Sequence, residues 1–91
     1  MQIDLSKSFR AAIREFAKPH RREMARVIDA VGDGFGSPHL HSGLGIRRLR
    51  GHYFECRVGL ELRLIFRAER GVLHFLTLGN HNHVRNFIKN L

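Results

Sequence analysis

A single cysteine, Cys56, stands in the chain, so no internal disulfide is possible. Long apolar runs are missing as well, and no stretch approaches the ~20 residues that cross a bilayer. Met1 to Lys7 lacks the apolar centre and small-residue cleavage site of a secretory signal. These absences lead to the expectation of a soluble, cytoplasmic protein with no membrane partner. Acid is scarce too: 8 Asp and Glu face 16 Lys and Arg, a formal charge of +8. Even lysine is scarce among the cations, of which 13 are Arg. Guanidinium is planar, always charged and able to fork onto two phosphate oxygens, which suits a polyanion, most naturally RNA. A genome rich in G and C also favours Arg codons and accounts for the ratio equally well, but not for the net charge.

What is present fits one α+β domain over residues 1–91. A core of this size buries roughly 60 to 65% of the unfolded surface and leaves nothing for a second one. Phe9, Ala12, Ile13, Phe16 and Ala17 recur at helical spacing behind Ser6 and Ser8, either of which can cap a helix. Pro19 fits the first turn of a second helix, which carries Met24, Val27, Ile28 and Val31 on one face and ends near Gly32. The two are expected to form an N-terminal antiparallel helical hairpin over about residues 6–31, its apolar stripes against a sheet. The outer faces hold Arg10, Arg14, Lys18, Arg21, Arg22 and Arg26, a strip best read as a solvated surface. Residues 32–45 are rich in Gly, Ser, Pro and His without any period and read as one long loop. Residues 53–78 switch to a period of two and predict an antiparallel three-strand meander, with Ile3 and Leu5 as a short N-terminal edge strand. Residues 82–91 predict a short C-terminal helix with Val84, Phe87, Ile88 and Leu91 on one side.

The first hairpin's register follows from requiring apolar residues to share a face, because a one-residue slip turns every side chain over. A three-residue loop, Gly59 to Glu61, pairs Val58 with Leu62, Cys56 with Leu64 and Phe54 with Phe66. It sets Arg57 opposite Arg63 on the other face, where like charges repel unless something anionic lies between them. A bound phosphate would remove that repulsion; Glu55, Glu61 or solvent would do so as well. Continuing with a four-residue loop, Ala68 to Gly71, pairs Phe66 with Leu73 and Leu64 with Phe75. The arginine face then also holds Ile65, Val72, His74, Leu76 and Leu78, so the last helix or a partner chain is expected to cover part of it.

Seven histidines are present, four of them in His-x-His pairs at His39 and His41 and at His81 and His83. No carboxylate or Cys pattern of recognised ligand spacing accompanies them, so neither a metal nor another cofactor is expected. A histidine beside a phosphate can instead move protons, as RNA cleavage through the 2′-hydroxyl requires. His81 follows the third strand of the meander directly, at a strand end where reactive groups often project.

The segment LRGHYFECRVGLELRLIFRAERGVLHFLTLGNH, residues 49–81, resembles the C-terminal half of RelE/ParE-superfamily toxins of toxin–antitoxin pairs. The matching features are Leu49 to Gly51, Arg57-Val58-Gly59, Arg63 to Phe66, and Gly79 to His81. The preceding SPHLHSGLGIRRLRG, residues 37–51, is also similar to this family's loop. The resemblance implies a RelE-like fold, binding by a cognate antitoxin in a hetero-oligomer and, in the RelE branch, cleavage of mRNA on the ribosome. It makes Arg63 the phosphate-stabilising arginine and puts His81 where the family has an Arg or a His. Phe87 falls where RelE has a catalytic Tyr; it cannot exchange a proton but can stack on a base. RelE's first-strand lysines are replaced by Tyr53 and Glu55. Against the YafQ branch, Arg57 replaces a His and Glu61 an Asp. The expected activity is therefore a metal-independent, ribosome-dependent endoribonuclease that inhibits translation. Its candidate catalytic residues are Arg57, Arg63, His81 and Glu61, and its candidate RNA contacts are Arg47, Arg48, Arg50 and Phe87. A ParE-like gyrase inhibitor, or an inactive RNA-binding relative, is the alternative.

Overall fold

The computed structural model describes all 91 residues. In chain order they form β1 (Gln2–Leu5), α1 (Lys7–Arg14), α2 (Lys18–Gly34), α3 (Pro38–Leu44), β2 (Arg47–Arg50), β3 (Tyr53–Val58), β4 (Leu62–Glu69), β5 (Val72–Gly79) and α4 (His81–Lys89). Ser6 turns the chain from β1 into α1: its Oγ accepts the Phe9 amide at 3.1 Å and donates to the Leu76 carbonyl at 3.2 Å. One hydroxyl thus caps the helix and ties it to the sheet. Pro19 lies in the first turn of α2. Met24, Ile28 and Val31, one helical turn or so apart, are buried.

The sheet is five-stranded and mixed, in the order β1-β5-β4-β3-β2. The antiparallel three-strand meander expected over residues 53–78 is present as β3-β4-β5, and the sheet is extended by β2, which was not expected. The edge strand expected from Ile3 and Leu5 is β1, and it runs parallel to β5, with Ile3 opposite Leu73 and Leu5 opposite Phe75. A strand therefore precedes the helices, so the chain does not open on a helical hairpin. The α1 helix packs on β5, and α2 on β3 and β1. On that face Phe9, Met24, Ile28 and Val31 meet Cys56, Val58, Leu64, Phe66, Leu73 and Phe75 in one buried cluster. Phe66 is its centre, with ring centroids 5.0 Å from Phe75 and 5.7 Å from Phe54 and Phe35. The other face is covered in part by α4, which packs on β4 and β5. Ile65 and Val84 are buried yet stand outside the main cluster, and they form the small core of that second side.

The first hairpin has the register deduced from its pattern, including Arg57 opposite Arg63. The second does not. Its turn is two residues, Arg70 and Gly71, both with positive φ (50° and 82°), the backbone that matches strand twist in tight hairpins. Ala68 therefore pairs with Leu73 and Phe66 with Phe75, and an irregularity between Ile65 and Phe66 leaves Leu76 as the extra residue on β5. Beyond that bulge the parity reverses. Leu78 pairs with Leu64 and packs on the main core rather than joining the arginine face.

Residues 32–45 are not one long loop. The α2 helix continues to Gly34, and α3 follows with Pro38 in its first turn and Gly45 as a left-handed C-cap (φ 67°). Seven residues are too few to show a helical period, and only the Pro and Gly at the two ends mark the element.

Candidate functional site

Alternation along β3 puts Tyr53, Glu55 and Arg57 on the face opposite the main core. Arg63 of β4 stands across from Arg57, and Arg47 of β2 across from Glu55. Arg47, Glu55, Arg57 and Arg63, with Ser42 and Gly45 from the end of α3, line a cleft of about 540 Å³. Gly45 is needed there twice over. Its positive φ suits only glycine well, and a Cβ on it would stand 3.0 Å from Arg57 Nε and 3.4 Å from the Arg57 amide nitrogen. The close approach of α3 to β3 closes one wall of the cleft.

Glu55 organises the centre. It is 1% exposed, and its Oε1 accepts from Arg63 Nη1 at 2.9 Å and pairs with Arg47 Nη2 at 3.0 Å. The repulsion between Arg57 and Arg63 is thus eased from the Arg63 side by a carboxylate of the chain itself, while Arg57 enters no ion pair. Three guanidiniums against one carboxylate leave a net charge of +2 in an open cleft whose floor, at Glu55, is buried. Coulomb interactions are stronger at that floor than at the exposed rim. Two polar atoms of the cleft remain without partners: Glu55 Oε2 and Arg63 Nε are both buried and make no hydrogen bond. Glu55 also bears on its neighbour. Burial first, and the nearby carboxylate second, push the Cys56 thiol up to about 12.

Of the residues singled out in the sequence, Arg57, Arg63 and Arg47 come together in this cleft. Glu61 does not: it is exposed at the β3–β4 tip and lines a separate groove with Phe16, His20 and Met24. Arg48 pairs with Phe54 on the opposite face of β2, its guanidinium 5.5 Å from the Phe54 ring centroid. A bulge between Arg48 and Arg50 brings Arg50 opposite Tyr53, back on the cleft side. Phe87 packs edge-on against Tyr53 with centroids 5.7 Å apart, closing the seam between α4 and the sheet. His81, exposed, is the first residue of α4, two positions past Gly79, which lies opposite Arg63. Its neighbour His83 holds Thr77 Oγ1 at 2.9 Å through Nε2. His41 stacks on Phe35 and accepts the Gly36 amide at 3.1 Å. No group of three or more His, Cys, Asp or Glu side chains converges to hold a metal. Of the neutralisers open to the arginine pair, Glu55 is the one that holds Arg63; its burial and its pairing with Arg47 were not expected. Its alternation with Arg57 and its diagonal relation to Arg63 were the available signal, though charge on a strand usually means solvent.

No family model matches this chain, and no curated protein matches it. Solved structures do. The RelE–RelB complex of the archaeon Pyrococcus horikoshii OT3 contains a chain that is 19% identical at a TM-score of 0.71, covering 87% of this chain and 92% of that one. A YoeB/ParE toxin from Agrobacterium tumefaciens is 20% identical at 0.62, covering 89% and 99%. The YoeB–YefM complex of Staphylococcus aureus gives 16% at 0.63, covering 89% and 97%. The fold is therefore that of the RelE/ParE-superfamily toxins, as the residues 49–81 had suggested.

Proposed function

We propose that this chain is the toxin of a toxin–antitoxin pair and acts as a metal-independent, ribosome-dependent endoribonuclease that cleaves mRNA and so inhibits translation. The observation that carries this reading is the cleft of net charge +2, in which Arg47, Arg57 and Arg63 converge on a RelE-like sheet. Three guanidiniums at this spacing suit one phosphodiester and, more strongly, the extra charge that builds on its oxygens during in-line attack by the 2′-hydroxyl. Arg63, held at 2.9 Å by Glu55, is pre-oriented for the non-bridging oxygens. Arg57, unpaired and exposed, supplies the second contact. His81, just past the β5 end opposite Arg63, is the proton donor to the leaving 5′ oxygen. Arg50 extends the positive surface along β2 and contacts a flanking phosphate, while Arg48, over Phe54 on the other face of the strand, lies away from the cleft. Phe87 and Tyr53 present a ring pair beside the cleft on which a base can stack. Glu61, which lines a separate groove, takes no part in the reaction. RelE and YoeB are seen in complex with RelB and YefM, and a cognate antitoxin is the partner expected here.

Primer extension on mRNA translated by purified ribosomes tests the reading. Wild-type protein should generate new 5′ ends, and Arg63→Ala should lose about 10²- to 10³-fold in rate, the usual cost of one oxyanion donor. Intact mRNA accompanied by broken DNA in induced cells would replace the nuclease with a gyrase inhibitor.

A further inference from the structure

Phe75, Phe66 and Phe54 stand opposite one another across β5, β4 and β3, and Arg48 of β2 carries the same row to the sheet edge. Their side chains form a ladder. Ring centroids lie 5.0 Å apart at Phe75 and Phe66 and 5.7 Å apart at Phe66 and Phe54, and the Arg48 guanidinium rests 5.5 Å over the Phe54 ring. Neighbouring strands about 4.8 Å apart set such a repeat. Because β2 is the last strand, no side chain of the sheet covers the outer side of Arg48. The ladder thus ends on an exposed planar cation that takes part in none of the chain's ion pairs.

Arg48 also borders an open cleft of about 620 Å³ on the helix side of the sheet, past the end of α2. Its half-buried floor is Phe35, Phe54 and Ala68, and the exposed Arg48, His52 and Arg70 are its rim. The one carboxylate there, Glu69, has its Oε2 3.2 Å from Arg67 Nε, so the cleft stays positive. Arg70 is held at φ 50°, a backbone that Gly, Asn or Asp adopts more readily in a tight hairpin turn. Strain of this kind often marks a side chain that function uses. An apolar floor, a bare guanidinium plane and free cations at the rim fit a flat aromatic group that carries negative charge. Nucleobases stack on guanidinium planes, and phosphates accept the forked donors of Arg.

Resting on the nuclease reading above, we infer that this cleft is a second RNA subsite. It seats one nucleotide flanking the cleaved bond, the base stacked on the outer side of Arg48 as the next rung of the ladder and the phosphate on Arg70. Strand β2 joins the two sites. Arg47 lines the arginine cleft, Arg48 lines this one, and Arg50 lies back on the first side beyond the bulge. An RNA strand crossing that edge meets all three. Stacking accepts any base, so the subsite adds affinity and fixes the path of the strand without reading sequence.

The test uses a short uncleavable 2′-fluoro RNA in which each position in turn carries 2-aminopurine, whose fluorescence falls on stacking, or lacks its base. With wild-type protein one flanking position should quench on binding. Removing the base there should weaken binding about 5- to 150-fold, the usual worth of one stacked base. Arg48→Lys keeps the charge and loses the plane. It should weaken the intact RNA by a similar factor and leave the affinity for the abasic RNA nearly unchanged. Wild-type affinity of Arg48→Lys for the intact RNA, or quenching that this variant alters at no position, overturns the subsite and leaves the nuclease reading intact. An acidic peptide carrying one Phe that shifts the Arg48 Nε signal, where RNA does not, makes the cleft a protein-binding site and overturns it too. Failure to bind the short RNA by a protein that still cleaves ribosome-bound mRNA overturns the subsite alone, and absence of cleavage as well overturns both.

Discussion

Gly79 ends β5, and a side chain there has nowhere to go. An added Cβ would lie 2.5 Å from Cγ, 2.6 Å from Cβ and 2.8 Å from Cδ2 of His83. These are not the free tip of a flexible chain but the root of a residue in the first turn of α4, so Gly79→Ala must push that turn off the sheet. The turn is held by the Asn80 Oδ1 cap on the His83 amide at 2.9 Å and by His83 Nε2 on Thr77 Oγ1 at 2.9 Å. Overpacking of this kind costs about 1–3 kcal/mol, and losing the Thr77 contact costs about 1 kcal/mol more. A total of about 2–4 kcal/mol lowers the melting temperature of a domain this size by about 10–30 °C. His83→Gly removes every atom that the new Cβ would meet and on its own costs about 2 kcal/mol, one for the hydrogen bond and one for glycine in a helix. The double variant should therefore be no less stable than His83→Gly alone, a coupling of about 2 kcal/mol or more. Thermal melts followed by circular dichroism give all four corners of the cycle. A Gly79→Ala protein melting within 3 °C of wild type would refute the reasoning, as would two single costs that simply add in the double variant; the figure of about 3 °C is less than 1 kcal/mol at this size.

Four further outcomes are expected. Ser6→Ala should cost about 1 kcal/mol, a fall of roughly 4–8 °C in melting temperature, since the hydroxyl caps Phe9 and reaches Leu76. Cys56, buried and raised to about 12, should react with thiol reagents at pH 8 only as fast as the protein unfolds, which stopped labelling and mass spectrometry can follow. The sign of its pH effect follows from the same shift. The folded chain keeps the thiol proton that the unfolded chain sheds from about pH 9. Denaturant titrations should therefore show stability falling from about pH 9 toward 12, with a shallower fall in Cys56→Ala. In cells, Arg63→Ala should abolish growth inhibition while antitoxin binding, measured by calorimetry, stays within a few fold of wild type.

The parts of the fold legible in the sequence are those where one face is apolar and the other is not. The β3–β4 register could be solved because Phe54, Cys56 and Val58 alternate with charged residues, and a slip would bury Glu61. The β4–β5 register could not, because the Leu76 bulge changes parity partway and Val72 to Leu78 is apolar at most positions. The Arg70-Gly71 turn also lacks the Asn or Asp that usually announces such a turn. Strand β2 reads Arg-Arg-Leu-Arg and has no alternation to find. Parallel pairing of β1 with β5 joins residues about seventy positions apart, which no local pattern reports. At the site, Arg57 and Arg63 were legible from the register alone. Glu55 was weighed only as a neutraliser, because strand alternation gives its face and says nothing of the depth that α3 and Arg47 create over it. Glu61, by contrast, was favoured by its nearness in sequence and lies at the hairpin tip in a separate groove on the helix side.

The central claim is that the cleft at Arg47, Arg57 and Arg63, rather than the arginine strip on the helices, receives the RNA phosphate. Arginine side-chain nitrogen spectra of the full chain, titrated with a short uncleavable 2′-fluoro RNA, test it directly. The Nε signals of Arg47, Arg57 and Arg63 should shift together and saturate at one RNA per protein, with Arg10, Arg14 and Arg21 unmoved. Saturating shifts confined to the helix arginines would contradict it.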